Sequence, residues 1–218
     1  MIILTDLSEV LVRGVYGVEK IIEREYGPEY AEAFLERKHE TDAFFYHLMR
    51  GGITEHCYWK IFMEEKVWPF DEDEIKAFLS ENFAKTVPGT LNVYKRIIGF
   101  PASTGKDAVT IFGKPEIWIV SDHIAEREFE LRAVHPEVFD LASKVYWSYN
   151  AKLTKADVGF FERLLYKNKL KPDEVIFVDD LLVNLYSASN AGIRSIGFSN
   201  AEALEDDLKS NGFIFQPQ

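Results

Sequence analysis

The sequence predicts an α/β fold: a parallel sheet flanked by helices, with an all-helical insertion after its first strand. Three observations predict it. Ile2-Ile3-Leu4-Thr5 is a short, near-continuous apolar run, the pattern of a strand buried on both faces. From Tyr16 to Lys85 the apolar spacing is helical and no strand is convincing. From Glu116 onward, strand-like and helix-like stretches alternate, which is the rhythm of parallel βαβ units.

The elements follow in order. After the first strand, Arg13-Gly14 reads as a turn. Val18, Ile21, Ile22 and Tyr26 repeat at helical spacing, and Gly27-Pro28 ends that helix. Pro28 opens a second, with Tyr30, Ala33 and Phe34 on one face. Phe44, Phe45 and Leu48 mark a third, stopping at Gly51-Gly52, and Thr54 starts a fourth. Asp71 with Glu74 makes a capping box for a fifth, lined by Ile75, Phe78, Leu79 and Phe83. The aromatics here read as core between helices. Beyond Pro88-Gly89, the residues Leu91, Tyr94 and Ile97-Ile98 predict a further helix. The stretch 99–115 is irregular around a β-like Val109–Phe112, compatible with a hairpin or an exposed loop. Ser103-Thr104-Gly105-Lys106 lacks the spacing of a phosphate loop. Strands are then expected at Ile117–Val120, Lys144–Trp147, Val175–Val178 and Arg194–Phe198. Helices are expected through Phe129 and Leu131, over Asp157–Asn168, from Leu185 to Ala191-Gly192, and over Ala201–Lys209. The domain reading is a core of residues 1–14 and 87–218, with residues 15–86 as the helical insertion.

Composition narrows the function. A net charge of −11 argues against nucleic acid as a partner, because phosphate backbones need a basic surface. It leaves room for a small phosphorylated metabolite, which needs only a local basic group. Cys57 is the only cysteine, so no internal disulfide or thiolate zinc site is available, and it reads as a buried apolar residue. His39, His47, His56 and His135 show no metal-ligand spacing. No stretch reaches the ~20 apolar residues of a membrane span, and the N-terminus has no secretory pattern. The expected location is cytoplasmic.

In open α/β sheets, ligands bind at the carboxyl ends of the strands. Asp6, Ser121 and Asp179-Asp180 all fall there, and Lys155 lies in a loop between a strand and the next helix. Each alone has a plain structural reading: Asp6 can start a turn, Ser121 can cap a helix, Lys155 can be a surface lysine. Together they suit one chemistry. Adjacent carboxylates at a strand end repel unless a cation or donor is near. Carboxylates without a His or Cys set suggest a hard ion, and Mg²⁺ suits a site shared with phosphate oxygens. A hydroxyl and an ammonium are the donors expected around a phosphoryl group.

In that order and spacing these residues resemble the haloacid dehalogenase-like (HAD) hydrolase superfamily, with its Rossmann-like core and a helical cap inserted after the first strand. Arg50-Gly51-Gly52-Ile53-Thr54 and Val178-Asp179-Asp180 with Asn184 are similar to the branch of small sugar-phosphate phosphatases, the glucose-1-phosphatase-like branch. The resemblance implies a Mg²⁺-dependent phosphatase working through an aspartyl phosphate. It makes Asp6 the nucleophile, and Ser121 and Lys155 the holders of the phosphoryl oxygens. It gives the metal to Asp6, the carbonyl of Ser8 and Asp180, with Asp179 close by.

Two positions depart from the pattern. Ser8 stands where such phosphatases carry a second Asp that protonates the leaving alcohol, and Ala156 follows Lys155 where proline is usual. Losing a positioned acid typically costs about 10²–10⁴ in rate. Four accounts fit: a slow phosphatase for good leaving groups, Glu9 as substitute acid, dehalogenase- or phosphonatase-type chemistry, or a relative that binds a ligand or partner without turnover. A phosphonatase would draw a lysine from the insertion, where Lys20, Lys38, Lys60, Lys66 and Lys76 are available. Asp122 and His123 flank the site without an assigned role.

Overall fold

In the computed structural model, which describes residues 1–64, 66–103 and 109–216, Ile2–Thr5 form β1 and every one of them is buried. Five helices follow it: α1 (Val18–Tyr26), α2 (Pro28–Glu40), α3 (Asp42–Met49), α4 (Glu55–Met63) and α5 (Glu72–Phe83). Their ends follow the sequence signals. Pro28 occupies the first turn of α2, where its missing N–H costs nothing. The Thr54 hydroxyl accepts from the Cys57 N–H at the start of α4. Asp71 and Glu74 cap α5 reciprocally, as a capping box requires.

Thereafter come α6 (Thr90–Arg96), β2 (Ile97–Ser103), β3 (Val109–Phe112), β4 (Glu116–Ser121), α7 (Glu128–Val134) and α8 (Pro136–Leu141). The chain closes with β5 (Lys144–Trp147), α9 (Ser148–Ala151), α10 (Phe160–Asn168), β6 (Val175–Asp179), α11 (Leu182–Asn190), β7 (Arg194–Gly197), α12 (Ala201–Ser210) and β8 (Ile214–Phe215).

β1 is the centre of a five-stranded sheet ordered β5-β4-β1-β6-β7, parallel at each pairing. The chain therefore leaves β1 on both sides, which makes its carboxyl end a topological switch point. Side chains alternate across the sheet. Ile3, Ile117, Ile119 and Ile176 join a core that continues into the helical segment. Ile2, Leu4, Trp118 and Phe177 pack on the other face against Phe160, Phe161 and Leu164 of α10.

Three sequence expectations are corrected, and one open alternative is decided. Ile97-Ile98 leave the helix, because Ile97 pairs with Phe215 and opens an antiparallel sheet ordered β3-β2-β8. The stretch after 99 is accordingly a hairpin, β2 against β3, while Thr104-Gly105-Lys106 lie outside the described residues. The helix expected from Asp157 starts at Phe160, because Asp157 is held in a turn closed by its own N–H onto the Thr154 carbonyl. Cys57 is only partly buried.

The two segments that connect the helical part to the sheet pair in one antiparallel bridge, Val12 against Thr86. The Arg13 N–H donates to the Lys85 carbonyl (2.8 Å) and the Val87 N–H to the Leu11 carbonyl (2.9 Å). Side chains add further ties. Arg127 meets Glu55 of α4 through three hydrogen bonds of 2.6–3.0 Å, and both residues are buried. Arg50, which ends α3, makes a two-pronged ion pair with Asp157. Among the described residues, no helix is long and apolar enough to cross a membrane.

Candidate active site

Asp6 follows β1 directly, and Asp179 ends the neighbouring β6 with Asp180 next in line. The pairing of Thr5 with Val178 sets Asp6 beside Asp179, and the Asp6 N–H donates to the Val178 carbonyl (2.9 Å). Carboxylate oxygens of Asp6, Asp179 and Asp180 lie within 4.8 Å of one another. Lys155 reaches into this cluster: its Nζ is 2.6 Å from Asp6 Oδ2 and 2.7 Å from Asp179 Oδ2, and the side chain is 2% exposed. Of the five residues singled out from strand ends and one loop, Asp6, Lys155, Asp179 and Asp180 are thus brought together.

The partners differ among the carboxylates. Asp179 is the most fully engaged: Oδ2 takes Lys155, and Oδ1 accepts from the Leu181 N–H (2.9 Å) and from Asn184 Nδ2 (3.0 Å). Asp6 Oδ1 accepts from the Leu7 N–H (2.7 Å). Asp180 has no ion pair among the described residues. Burial raises the Asp6 pKa well above the usual carboxylate range; Lys155 pulls it back and Asp179 and Asp180 push it further. Burial, reinforced by Asp179, raises Asp180 to about 6. Burial works against the Lys155 charge, but Asp179, Asp6 and Asp122 outweigh it and raise its pKa. The site is a negative cluster with one internal cation. Asp6 and Asp180 retain oxygen lone pairs for a further cation, and a set of carboxylate oxygens fits a hard divalent ion.

The turn after Asp6 settles the geometry of two neighbours. Leu11 and Val12 N–H groups both return to the Leu7 carbonyl, and Glu9 adopts left-handed backbone (φ 59°). The Glu9 carboxylate accepts from the Gly14 N–H (2.8 Å) and from Arg13 (2.8 Å). It holds the turn and does not line the cavity above Asp6, which removes the observation that would favour it as a substitute acid. Ser8 does line that cavity.

Ser121 ends β4, is fully buried, and its Oγ has no partner among the described residues. It sits at the next strand end but is not part of the cavity wall. The two residues after it are part of that wall. Asp122 accepts the Lys155 backbone N–H (3.0 Å) and so positions the lysine loop; burial raises its pKa to about 6. His123 stacks near Phe83 and Trp147, and its Nδ1 accepts from the Ile124 N–H (2.9 Å).

Burial lowers the His123 pKa to about 4, so the folded chain holds it neutral. The unfolded chain binds its proton near pH 6.5, so His123 contributes stability that is complete above that pH. That contribution is lost as pH falls towards 4, about 3 kcal/mol in all. Asp122 and Asp180 act oppositely, since raised carboxyl pKa values favour the folded state as pH falls below 6. The His123 contribution is therefore expected as a difference. His123→Asn keeps an acceptor for Ile124 but cannot titrate, and its Tm should gain on wild type between pH 7 and pH 5. Calorimetry across that range checks it; parallel curves would mean that His123 titrates in the folded chain as it does in the unfolded one.

The cavity above Asp6, about 140 Å³, is closed on its far side by the helical segment. Tyr16, Lys38, Asp42, Phe45, Tyr46 and Met49 line it. Apart from Lys38, named only as one of several available lysines, sequence reading did not single them out, because helical periodicity marks which face is apolar and not which polar residue faces a distant strand end. Asp157 was missed as well. Its Oδ2 accepts the Thr154 N–H (2.6 Å) and hydroxyl (3.0 Å), so the Arg50–Asp157 pair ties α3 to the Lys155 loop. An Asp three residues after Thr154 is a turn signal that could have revealed it.

A parallel sheet with Asp and Asp-Asp at its central strand ends, and a lysine reaching them from a loop, defines a class: an α/β fold of the kind that HAD-family enzymes share. The comparisons place the chain in that fold. A HAD family enzyme, bt-2542 of Bacteroides thetaiotaomicron, is 18% identical and superposes with a TM-score of 0.66 over 94% of this chain and 97% of its own. A further structure of it, in complex with magnesium and inorganic phosphate, gives a TM-score of 0.62 at 18% identity over 91% of this chain and 94% of its own. L-2-haloacid dehalogenase of Xanthobacter autotrophicus is 16% identical, with a TM-score of 0.60 over 96% of this chain and 82% of its own. In sequence, drimenol cyclase drtB of Aspergillus calidoustus is 29% identical over 86 residues, 39% of this chain and 16% of the cyclase. No family model matches the chain.

Proposed function

We propose that the chain is a hydrolase of phosphate monoesters that uses Asp6 as nucleophile and acts on a small phosphorylated metabolite, with residues 15–86 as the cap over the site. The observation that carries this reading is the strand-end cluster: three carboxylates within 4.8 Å, with Lys155 Nζ 2.6 Å from Asp6. Asp6, Asp180 and the Ser8 carbonyl would hold Mg²⁺, with Asp179 beside them. When bound, the ion would offset the charge of a phosphoryl group next to four acidic side chains. The magnesium and phosphate bound by the Bacteroides enzyme support the same choice.

The chain's own residues supply the rest. Lys155 and the Leu7 N–H each hold one oxygen of the Asp6 carboxylate, fixing its plane. An Asp6 oxygen bonds to phosphorus as the ester oxygen departs. Water then hydrolyses the aspartyl phosphate, releasing phosphate and restoring the carboxylate. Asp179, fully engaged, holds Lys155 in place. The buried Ser121 hydroxyl has no partner among the described residues and would donate to a phosphoryl oxygen once the ligand opened the wall in front of it, which Ser121 does not line in this structure. Ser8 gives the departing oxygen no acid, so leaving groups that need none are favoured.

The test is Mg²⁺-dependent phosphate release from 4-nitrophenyl phosphate against an alkyl phosphate. The aryl ester should turn over and the alkyl ester lag well behind. Ser8→Asp should raise alkyl turnover by about 10²-fold or more, the size of a positioned acid. No aryl turnover at high protein concentration would sink the phosphatase reading.

One observation favours a second reading. Asp179 is satisfied without a metal, and with Ser8 the site has no leaving-group acid, which suits attack on carbon with loss of halide. Metal-independent halide release from a 2-haloacid would decide for it.

A further inference from the structure

Resting on the phosphatase reading, we propose that Lys38 binds an anionic group of the ligand other than its phosphoryl group. The preferred substrate is then a phosphate monoester whose alcohol portion carries a carboxylate or a second phosphate.

The charges around the cavity are unevenly matched. Its wall holds four carboxyl side chains, Asp6, Asp42, Asp122 and Asp180, and two lysines, Lys38 and Lys155. Lys155 is already committed to Asp6 and Asp179. Lys38 comes from α2 in the helical segment, opposite the strand ends. Among the described residues its ammonium makes no ion pair and no hydrogen bond; its close partner is the Tyr16 ring, 4.2 Å from Nζ to centroid. Lys38 is partly buried, and that burial lowers its pKa, offset in part by the more distant Glu19, Asp42 and Glu9. Holding an ammonium in a cavity without a bonded counter-ion is unfavourable. An anion from the ligand would remove that penalty, and the cation–π contact keeps the side chain aimed meanwhile.

The surroundings define the group. The cavity wall also carries Tyr46 on α3, and Phe45 and Met49 on the same helix are apolar, while the phenol beside Lys38 is that of Tyr16. An ammonium beside a phenol suits a compact oxyanion, and the apolar residues suit a short carbon chain between it and the phosphoryl group. The cavity's acidic residues would repel a doubly anionic ligand unless a cation answered each anion. Lys155 and bound Mg²⁺ answer the phosphoryl group; Lys38 answers the other.

The experiment is isothermal titration calorimetry on the full chain with Mg²⁺, using three probes: ethyl phosphate, phosphoglycolate and propane-1,3-diol bisphosphate. Wild type should bind at least one of the last two about ten-fold tighter than ethyl phosphate, and which one distinguishes carboxylate from phosphate. Lys38→Met should erase that preference and Lys38→Arg keep it. A wild type with no preference, or a preference that survives Lys38→Met, overturns the proposal. So does an equal loss for all three probes, which would give Lys38 to the phosphoryl group itself. Turnover of 4-nitrophenyl phosphate is measured in parallel. Selective binding without turnover defeats the phosphatase reading and leaves Lys38 its role; turnover without selectivity does the reverse.

Discussion

Asp6→Asn should abolish phosphate release from an aryl ester and, without metal, raise the Tm at pH 7.5. The two effects have one cause. An amide oxygen is no nucleophile, and loss of the group that forms the covalent bond costs on the order of 10⁴-fold or more. The same carboxylate is expensive to the fold. It is 4% exposed and sits beside Asp179 and Asp180, so its pKa is raised well above the ordinary range despite Lys155. A carboxyl whose folded pKa is raised contributes its stability below the unfolded value and loses it as pH rises through the folded one. Wild type therefore gives up stability on the way to neutral pH, and the amide variant does not.

The Tm difference between Asp6→Asn and wild type should accordingly grow with pH and shrink towards pH 4. Saturating Mg²⁺ should reverse its sign, because the variant lacks a ligand oxygen that wild type offers. A variant less stable than wild type at every pH without metal would mean that Lys155 outweighs burial and repulsion at this position. A carboxylate proposed as nucleophile that weakens its own fold would follow the usual trade between activity and stability.

How far the sequence disclosed this site depends on the kind of signal each residue carries. Asp6 and Asp179-Asp180 were legible because a short apolar run ends in acid, and strand ends in a parallel sheet are where ligands bind. Lys155 was legible only through order along the chain, since nothing local marks a loop lysine as buried. Ile97 read as helical because its apolar neighbours continue the spacing of α6; its true partner, Phe215, lies at the other end of the chain. Lys38 stayed one of several lysines on helices until the fold turned α2 towards the strand ends. Arg50–Asp157 and Arg127–Glu55 join residues far apart in sequence, and pairing of that kind leaves no periodic trace. Local pattern thus gives the sheet and its acidic ends, while the cavity's far wall is a product of tertiary packing.

Lys155→Met should be the most destabilising single change in the site. Its ammonium lies 2.6 and 2.7 Å from two carboxylates that are 4% and 0% exposed. Removing one partner of a buried pair leaves uncompensated charge, at a cost of about 3–5 kcal/mol. At roughly 2–4 °C per kcal/mol for a chain of this length, the Tm should fall by about 6–20 °C. Lys155 has a raised pKa, so its contribution is fully present at neutral pH and disappears only in strong alkali. Two companions separate charge from packing. Lys155→Met with Asp179→Asn removes a cation and an anion together and should recover much of the lost stability, while activity stays absent because Asp6 has lost its anchor. Mg²⁺ should raise the Tm of Lys155→Met more than that of wild type, since the freed Asp179 oxygen then turns to the ion. If the double variant is no more stable than Lys155→Met, the loss comes from the missing aliphatic stem and its packing. If Mg²⁺ lifts both proteins equally, Asp179 serves only as the tether for Lys155, and Asp6 and Asp180 make up the carboxylate part of the metal site by themselves.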